Sequence, residues 1–377
     1  MSDTELRTDP KALTPPPPEM LIAQEDRERG TSPSKRHMPP LARYVSLRLF
    51  MAVILAFGVT LITFALANLV PGDPVQAALG EQASNNPAIV EQFREDMGLD
   101  QPLPVQYVTY MTNLFQGDLG VSTQTKTPVA EELASAFPAT AELAIAAILV
   151  AIVIGVALGL WAALRRGRAI DHLIRVVSLV GISVPTFWLA ILVYFFFYSQ
   201  LRLLPGSGRL SPLTIPPPNV TGFYTVDSAF AGQWTTFGDA ALHLVMPASV
   251  LALGAIGLLT RFSRSSVLEV LNLEYIKAAS AKGLPARTVI LKYVLRGASV
   301  PIIAVTGIAF GSLLAGAVLT EQVFAWHGIG ELAYNAATRL DLPVVMGVGL
   351  LVGITYICVN LIVDLIYGVV DPRARVS

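Results

Sequence analysis

A single cysteine, Cys358, stands in 377 residues. It allows no intramolecular disulfide and no metal-thiolate cluster within one chain. Charge is scarce as well: Asp, Glu, Lys and Arg together make up 14%, against roughly 25% in ordinary soluble domains. The four histidines, His37, His172, His243 and His327, are dispersed without metal-ligand spacing. No glycine-rich phosphate loop of the Walker type is present, so the chain is not expected to bind or split ATP itself. Gly206-Ser207-Gly208 follows Pro205 and lacks the first glycine of a nucleophile elbow. Only Glu142 and Asp364 fall clearly inside apolar runs, each near an end. Glu142 is expected within reach of the outer interface, and Asp364, with Asn360, is expected to hydrogen-bond to another helix. Neither suggests the mid-membrane cluster of a proton relay. These exclusions leave a transport component with no power supply of its own.

What the chain has is apolar length. Hydrophobic residues make up 53%, and six runs are long enough to cross a hydrocarbon core of about 30 Å as helices. They fall near 44–69, 139–164, 176–199, 242–260, 300–319 and 344–370. An all-α membrane protein with six transmembrane helices follows. Pro185 interrupts the third run, where a simple kink is the expectation.

Basic residues gather in alternate connections, which sets orientation. Arg165, Arg166, Arg168 and Arg175 crowd the second connection; Arg261, Arg264, Lys277, Lys282, Arg287, Lys292 and Arg296 fill the fourth. Both are placed in the cytoplasm, with 261–298 as a cytoplasmic loop. The first connection, 71–138, carries Asp73, Glu81, Glu91, Glu95, Asp96, Asp100, Asp118, Glu131 and Glu132 against Arg94 and Lys126, and is placed outside. Both termini are then cytoplasmic. Residues 1–42 are polar with Pro15 to Pro18 in a row, and read as a disordered cytoplasmic extension ahead of a membrane domain over 43–377.

Within the fourth connection, residues 272–281 are mostly good helix formers, and Glu274 suits the positive end of a helix dipole. Lys277 and Lys282 lie toward the other end. Gly283 stands where a helix terminus takes left-handed geometry, and Pro285 suits the start of the next helix. Helix, tight turn, helix is expected. Ala278, Ala279, Ser280 and Ala281 give the surface little bulk, so a partner's groove could close on it. An amphipathic helix lying on lipid is the alternative reading.

Small residues recur at fourfold spacing in two membrane runs. The second carries Ala151, Gly155, Gly159 and Ala163; the fifth carries Gly307, Gly311 and Ala315 beside Ser312, Gly316 and Thr320. Such rows let helices approach closely. In the fifth run they also leave room for a passing solute.

Several stretches together resemble the membrane permease subunits of bacterial ABC importers of the dipeptide, oligopeptide and nickel type, specifically the first of the two permeases. They are 69–74, 98–107, 117–122, 137–143, 183–188, 261–270, 321–330 and 360–373, and the resemblance runs from about Arg43 to Arg375. It implies the type I ABC importer permease fold in the bacterial inner membrane, and a transport subunit that is not an enzyme. It makes the basic turn the coupling helix that seats in an ATP-binding subunit, carried here by Glu274, Tyr275, Ala278, Ala279, Lys282, Gly283 and Leu284. It implies a second homologous permease, two ABC ATPase subunits carrying ATP and Mg, an extracytoplasmic substrate-binding protein and a lipid bilayer, with no nucleic acid and no cofactor or metal on this chain. Di- or oligopeptides are the implied cargo. Nickel complexes, other small solutes, or an ion-coupled secondary transporter remain alternatives. The chain departs from the family pattern where Tyr293 and Gly297 replace a usual histidine and asparagine, where His327 replaces a proline, and where Leu340 separates Arg339 from Asp341.

Overall fold

The computed structural model describes residues 40–69, 87–96, 98 and 100–370. The expected extension is therefore almost wholly outside the described residues, as are residues 70–86 of the acidic connection. Two compact units divide between Tyr44 and Val45; only residues 40–44 of the first are described, in helix. The elements are α1 (Pro40–Leu69), α2 (Pro87–Asp96), α3 (Leu103–Phe115), α4 (Val129–Leu164), α5 (Ala169–Ser183), α6 (Thr186–Val193), a π-helical stretch (Tyr194–Gln200), α7 (Tyr224–Phe230) and α8 (Trp234–Leu271). There follow α9 (Glu274–Ala281), α10 (Ala286–Thr288), a second π-helical stretch (Val289–Val294), α11 (Leu295–Phe324), α12 (Ile329–Thr338) and α13 (Leu342–Val370). No strand occurs among the described residues.

Five helices are long and apolar enough to span a bilayer singly, and the pair α5 and α6 supplies a sixth crossing only if taken as one broken span. The third expected run is thus not a kinked helix. Its two halves meet at 101°. Proline restricts the residue before it and cannot donate to the helix ladder. Val184 is accordingly extended (φ −76, ψ 127), and Pro185 is extended too (φ −60, ψ 128). Two successive residues off the helical path turn the chain far more than one missing hydrogen bond does. Pro138, Pro247 and Pro301 sit inside α4, α8 and α11 without ending them.

The core is alanine-rich and built by α4, α8 and α11. Ala139, Leu143, Ala147 and Ala151 of α4 meet Leu251, Ala252, Ala255 and Leu259 of α8 and Val305, Ala309, Leu313 and Ala317 of α11. The small row of α4 is a packing face, as expected, with Ala151, Gly155, Gly159 and Ala163 all buried. A Cβ at Gly155 would lie 2.7 Å from Leu259 Cβ, and one at Gly159 would lie 2.6 Å from Ser263 Cβ and 2.8 Å from the Thr260 carbonyl. Backbone therefore meets backbone along this seam.

Polar residues lock the ends. Glu142 does not reach for the interface: it is 6% exposed and takes Arg209 Nη2 at 2.7 Å, while accepting the Thr225 N–H at 2.8 Å and hydroxyl at 2.6 Å. Arg209 also lies over the Tyr224 ring, 3.8 Å from its centroid. Asp364 pairs with Arg48 of α1 at 2.9 Å, so its partner is on another helix, as expected, but is an arginine. Glu321, fully buried, accepts the Thr140 hydroxyl at 2.6 Å and the Glu331 N–H at 3.0 Å, and Trp326 Nε1 donates to the Ala139 carbonyl at 2.8 Å. A carboxylate is thereby held at the start of α12, where the helix dipole favours it.

His327 and Leu340, two departures noted in the sequence, both have left-handed backbone (φ 56 and 55). The His327 N–H donates to Glu331 Oε2 at 2.8 Å. Proline has neither that φ nor that N–H, so this connection cannot be the one a proline would make. Leu340 absorbs the extra residue as a single left-handed step. Asp341 then still accepts the Ser122 hydroxyl at 2.5 Å and the Thr123 N–H at 3.1 Å.

In the connection ahead of α8, burial pushes the Asp227 carboxyl up, but the Thr221 hydroxyl and the N–H groups of Thr221, Gly222 and Val220 outweigh it and hold it below its ordinary 3.8. A lowered folded value means the stabilisation is complete above 3.8 and is lost as pH falls through the folded value. Asp227→Asn should lower the thermal midpoint of the purified protein at neutral pH, with the deficit shrinking as pH drops below 3.8; a deficit independent of pH contradicts this assignment. Gly159→Leu should destabilise by about 1–3 kcal/mol through overpacking, read as a lower unfolding midpoint. No change would mean that α4 and α8 do not approach this closely.

Candidate functional site

Two features lie in reach of function: a short exposed helix carried by α8 and α11, and a cavity at the break between α5 and α6. The first begins where α8 ends. That helix does not stop near residue 260 but continues to Leu271, so Arg261 and Arg264 are helical and not loop residues. Asn272 and Leu273 alone separate it from α9.

The end of α9 follows a Schellman pattern. The Gly283 N–H donates to the Ser280 carbonyl at 3.0 Å, the Leu284 N–H to the Ala279 carbonyl at 3.4 Å, and Gly283 is left-handed at φ 73. Leu284 packs on the same cluster that receives Ile276 and Ala279, the apolar contact such caps carry. Pro285 then starts α10, which runs on through the π-helical stretch into α11. The expected helix, turn, helix is present, with the first helix starting at Glu274.

Its faces are unequal. Ile276 and Ala279 are buried (4% and 6%) against Val267 and Val270 of α8 and Val289 and Val294 beyond the turn. Ala279 is therefore an anchor and not part of the outward surface. Glu274, Tyr275, Ala278 and Lys282 face out, with Glu274 and Lys277 paired at 2.8 Å. Gly297 makes room for Tyr275: a Cβ there would lie 2.5 Å from Tyr275 Oη and 2.9 Å from Val270 Cγ1. The family's usual asparagine at this position would displace that ring.

A clamp missed by sequence reasoning holds α8 beside α5. Arg264 Nε and Nη2 lie 2.7 and 2.8 Å from the two oxygens of Asp171, which is 1% exposed and also accepts the Gly167 N–H at 3.0 Å. The available signal was one aspartate within a basic connection. The arginines around it also set orientation, and spacing alone does not separate an ion-pair partner from an orientation signal.

The cavity of about 290 Å³ opens where Pro185 turns the chain, between Gly181, Ile182, Val184 and Thr186 on one side and α8 and α11 on the other. Ser312 and Gly316 line it. Gly307 and Gly311 do not; a Cβ at Gly307 would lie 3.1 Å from Val363 Cγ2 of α13, and one at Gly311 would overlap Tyr356. On the fifth span Gly307 and Gly311 thus pack on α13, Ser312 and Gly316 face the cavity, and Thr320 is buried. The side chain of Ala315 is outside the described set. Among the described residues no group of three or more His, Cys, Asp or Glu is placed to hold a metal ion.

Residues 155–376 match the family described as binding-protein-dependent transport system inner membrane component, and residues 41–144 match its N-terminal membrane-component counterpart. The chain is 47% identical over 321 residues to the probable D,D-dipeptide transport system permease protein DdpB of Escherichia coli (strain K12), covering 85% of this chain and 94% of the relative. It is 42% identical to the di/tripeptide transport system permease protein DppB of Pseudomonas aeruginosa (strain UCBPP-PA14), covering 88% and 98%. It is 40% identical to the dipeptide transport system permease protein DppB of Escherichia coli (strain K12), covering 89% and 99%. Among solved structures, a chain of the inward-facing MetNI methionine ABC transporter aligns over 62% of this chain and 93% of its own, at 18% identity and a TM-score of 0.44.

The anchoring of α9 can be tested directly. Ile276→Ala removes a buried side chain whose loss costs about 2–5 kcal/mol in well-packed sites. Amide hydrogen exchange across 274–284 should accelerate while that of the α4 and α8 core stays unchanged. Unaltered exchange would mean that α9 is not held by this contact.

Proposed function

We propose, from the premise that this chain belongs to the family of binding-protein-dependent transport system inner membrane components, that it forms half of a translocation pathway for di- or oligopeptides in an ATP-driven importer. It is a membrane permease subunit of the bacterial inner membrane, and ATP hydrolysis lies with separate subunits. The cargo reading is supported by the three relatives above, each named for dipeptide or di/tripeptide transport.

In this reading the complex holds a second homologous permease, two ABC ATPase subunits carrying ATP and Mg, and an extracytoplasmic substrate-binding protein. Residues 261–298 lie in the cytoplasm with both termini, and 71–138 lie outside, as the distribution of Arg and Lys requires. Glu274, Tyr275, Ala278, Lys282, Gly283 and Leu284 form the ATPase-docking element, with Ala279 fixing it from within. Ser312 and Gly316 border the path taken by solute, and Gly307 and Gly311 serve helix packing beside it.

One observation carries the mechanism: α9 is exposed on one face, buried on the other, joined to α8 across Asn272 and Leu273 alone, and joined to α11 by the turn 282–285 followed by unbroken helix through α10 and the π-helical stretch. Closure of the ATPase pair on nucleotide moves α9 as a rigid body. Because α8 lies in the core seam with α4, and α11 borders the cavity, that displacement repacks the bundle from inward to outward access. No covalent chemistry is asked of this chain.

Gly283→Val tests the docking reading, because no atom of this chain lies within 4 Å of a Cβ there, so within the chain its effect is on left-handed backbone that β-branched residues avoid. Membrane insertion should persist while ATP-dependent uptake of a labelled dipeptide falls roughly tenfold, the factor that about 1–2 kcal/mol of strain commands. Full uptake at normal protein level would refute docking at this turn. Unaltered dipeptide accumulation in cells deleted for the chain would instead refute the cargo.

A further inference from the structure

A second cavity of about 290 Å³ opens between α5 and α8, on the side of the Asp171–Arg264 clamp. Arg175, Arg261 and Arg264 line it together with Ser178, Thr260 and Ser265. One carboxylate, Asp171, faces them, taking Arg264 at 2.7 Å and Arg175 at 3.7 Å. His172 faces Arg175 as well, with Nδ1 2.6 Å from Arg175 Nη2. Arg261, exposed on the rim, has no carboxylate partner among the described residues. The pocket therefore carries surplus positive charge that no carboxylate among the described residues neutralises.

Thr260 adds an independent sign of a missing ligand. It is 2% exposed, and its Oγ1 is buried without a hydrogen-bond partner. A buried orphan hydroxyl costs about 1–3 kcal/mol, and because Thr260 lines the cavity, rotation of its side chain would let an anion seated among the arginines accept its proton.

The apolar part of the wall identifies the source of that anion. Leu179 and Ile182 line the same pocket and are 56% and 44% exposed, and Val176, one turn earlier on α5, is 57% exposed. A free phosphate or a soluble carboxylate would use the arginines and leave these side chains bare. Thr260 is also the last residue of the fourth apolar run before Arg261 and Arg264, and such a change from apolar to basic side chains marks the passage from hydrocarbon to headgroups. Basic pockets between membrane helices at that depth suit phospholipid headgroups.

We propose that this pocket binds an anionic phospholipid, its phosphate among Arg175, Arg261 and Thr260 and its acyl chains along Leu179 and Ile182. Such a lipid ties α5 to α8 next to their ion pair, and so stiffens the element that carries α9. The site is independent of the cargo and of which ATPase docks.

The test is native mass spectrometry of the purified transporter complex, delipidated in neutral detergent and offered phosphatidylglycerol, phosphatidylcholine or inorganic phosphate. Phosphatidylglycerol should be retained preferentially. Arg261→Gln should weaken its retention about fivefold, the effect of one basic contact near a membrane surface. Arg261→Lys should keep most of it, and Thr260→Val should weaken it without lowering the thermal midpoint. Arg296→Gln, which removes an exposed charge outside the pocket, should leave it unchanged. Equal retention of the two lipids, or equal sensitivity to Arg296→Gln, would overturn the proposal. Displacement by inorganic phosphate would assign the site to a free anion, and displacement by a transported dipeptide would assign it to the solute path; either result also overturns it.

Discussion

The close approach of α4 to α8 through Gly155 and Gly159 is the constraint from which the rest follows. In lipid, apolar burial between helices gains little, so association depends on van der Waals contact and on how near the backbones come. Leu259, Thr260 and Ser263 of α8 press on those glycines, and the same stretch of α8 runs without interruption to Leu271. A helix fixed in the core along one half is thereby a lever along the other. The alanine-rich packing against α11 sets the third member of the same rigid group.

At the far end of that lever sits α9. Its inner face, Ile276 and Ala279, packs on α8 and on the start of the fifth span, while its outer face stays open. The Schellman turn at Gly283 leads within three residues into α10, which continues as unbroken helix into α11. Force applied to the outer face reaches two core helices at once. The 101° turn at Pro185 has the opposite character: it opens the bundle where Ser312 and Gly316 face a cavity. A closely packed seam, a stiff hook and an opened break are the three elements on which the proposed alternation of access rests.

Much of this was legible in the chain itself. Five of the six apolar runs, the small-residue row of α4 and the capping glycine of α9 are local signals, set by length, spacing and backbone preference, and they stand in the structure as expected. What could not be read depends on contacts distant in sequence. Ala278 and Ala279 look alike as residues, and only the packing of α9 on Val267 and Val270 makes one a surface and the other an anchor. Glu142 looked like an interfacial carboxylate until Arg209 and α7 closed over it. The Pro185 break was underestimated because one proline normally costs one hydrogen bond, and here the flanking residue left the helix too. Of the candidate path residues, spacing alone could not tell the row that meets α13 from the row that meets the cavity.

The central claim is that the outward face of α9 seats in a nucleotide-hydrolysing partner while its inward face belongs to this chain's core. Site-specific photocrosslinking from positions 278 and 279 in intact cells measures this most directly. The account predicts adducts to an ATPase subunit from 278 and intramolecular adducts to α8 from 279. Adducts from 278 to phospholipid alone would contradict it.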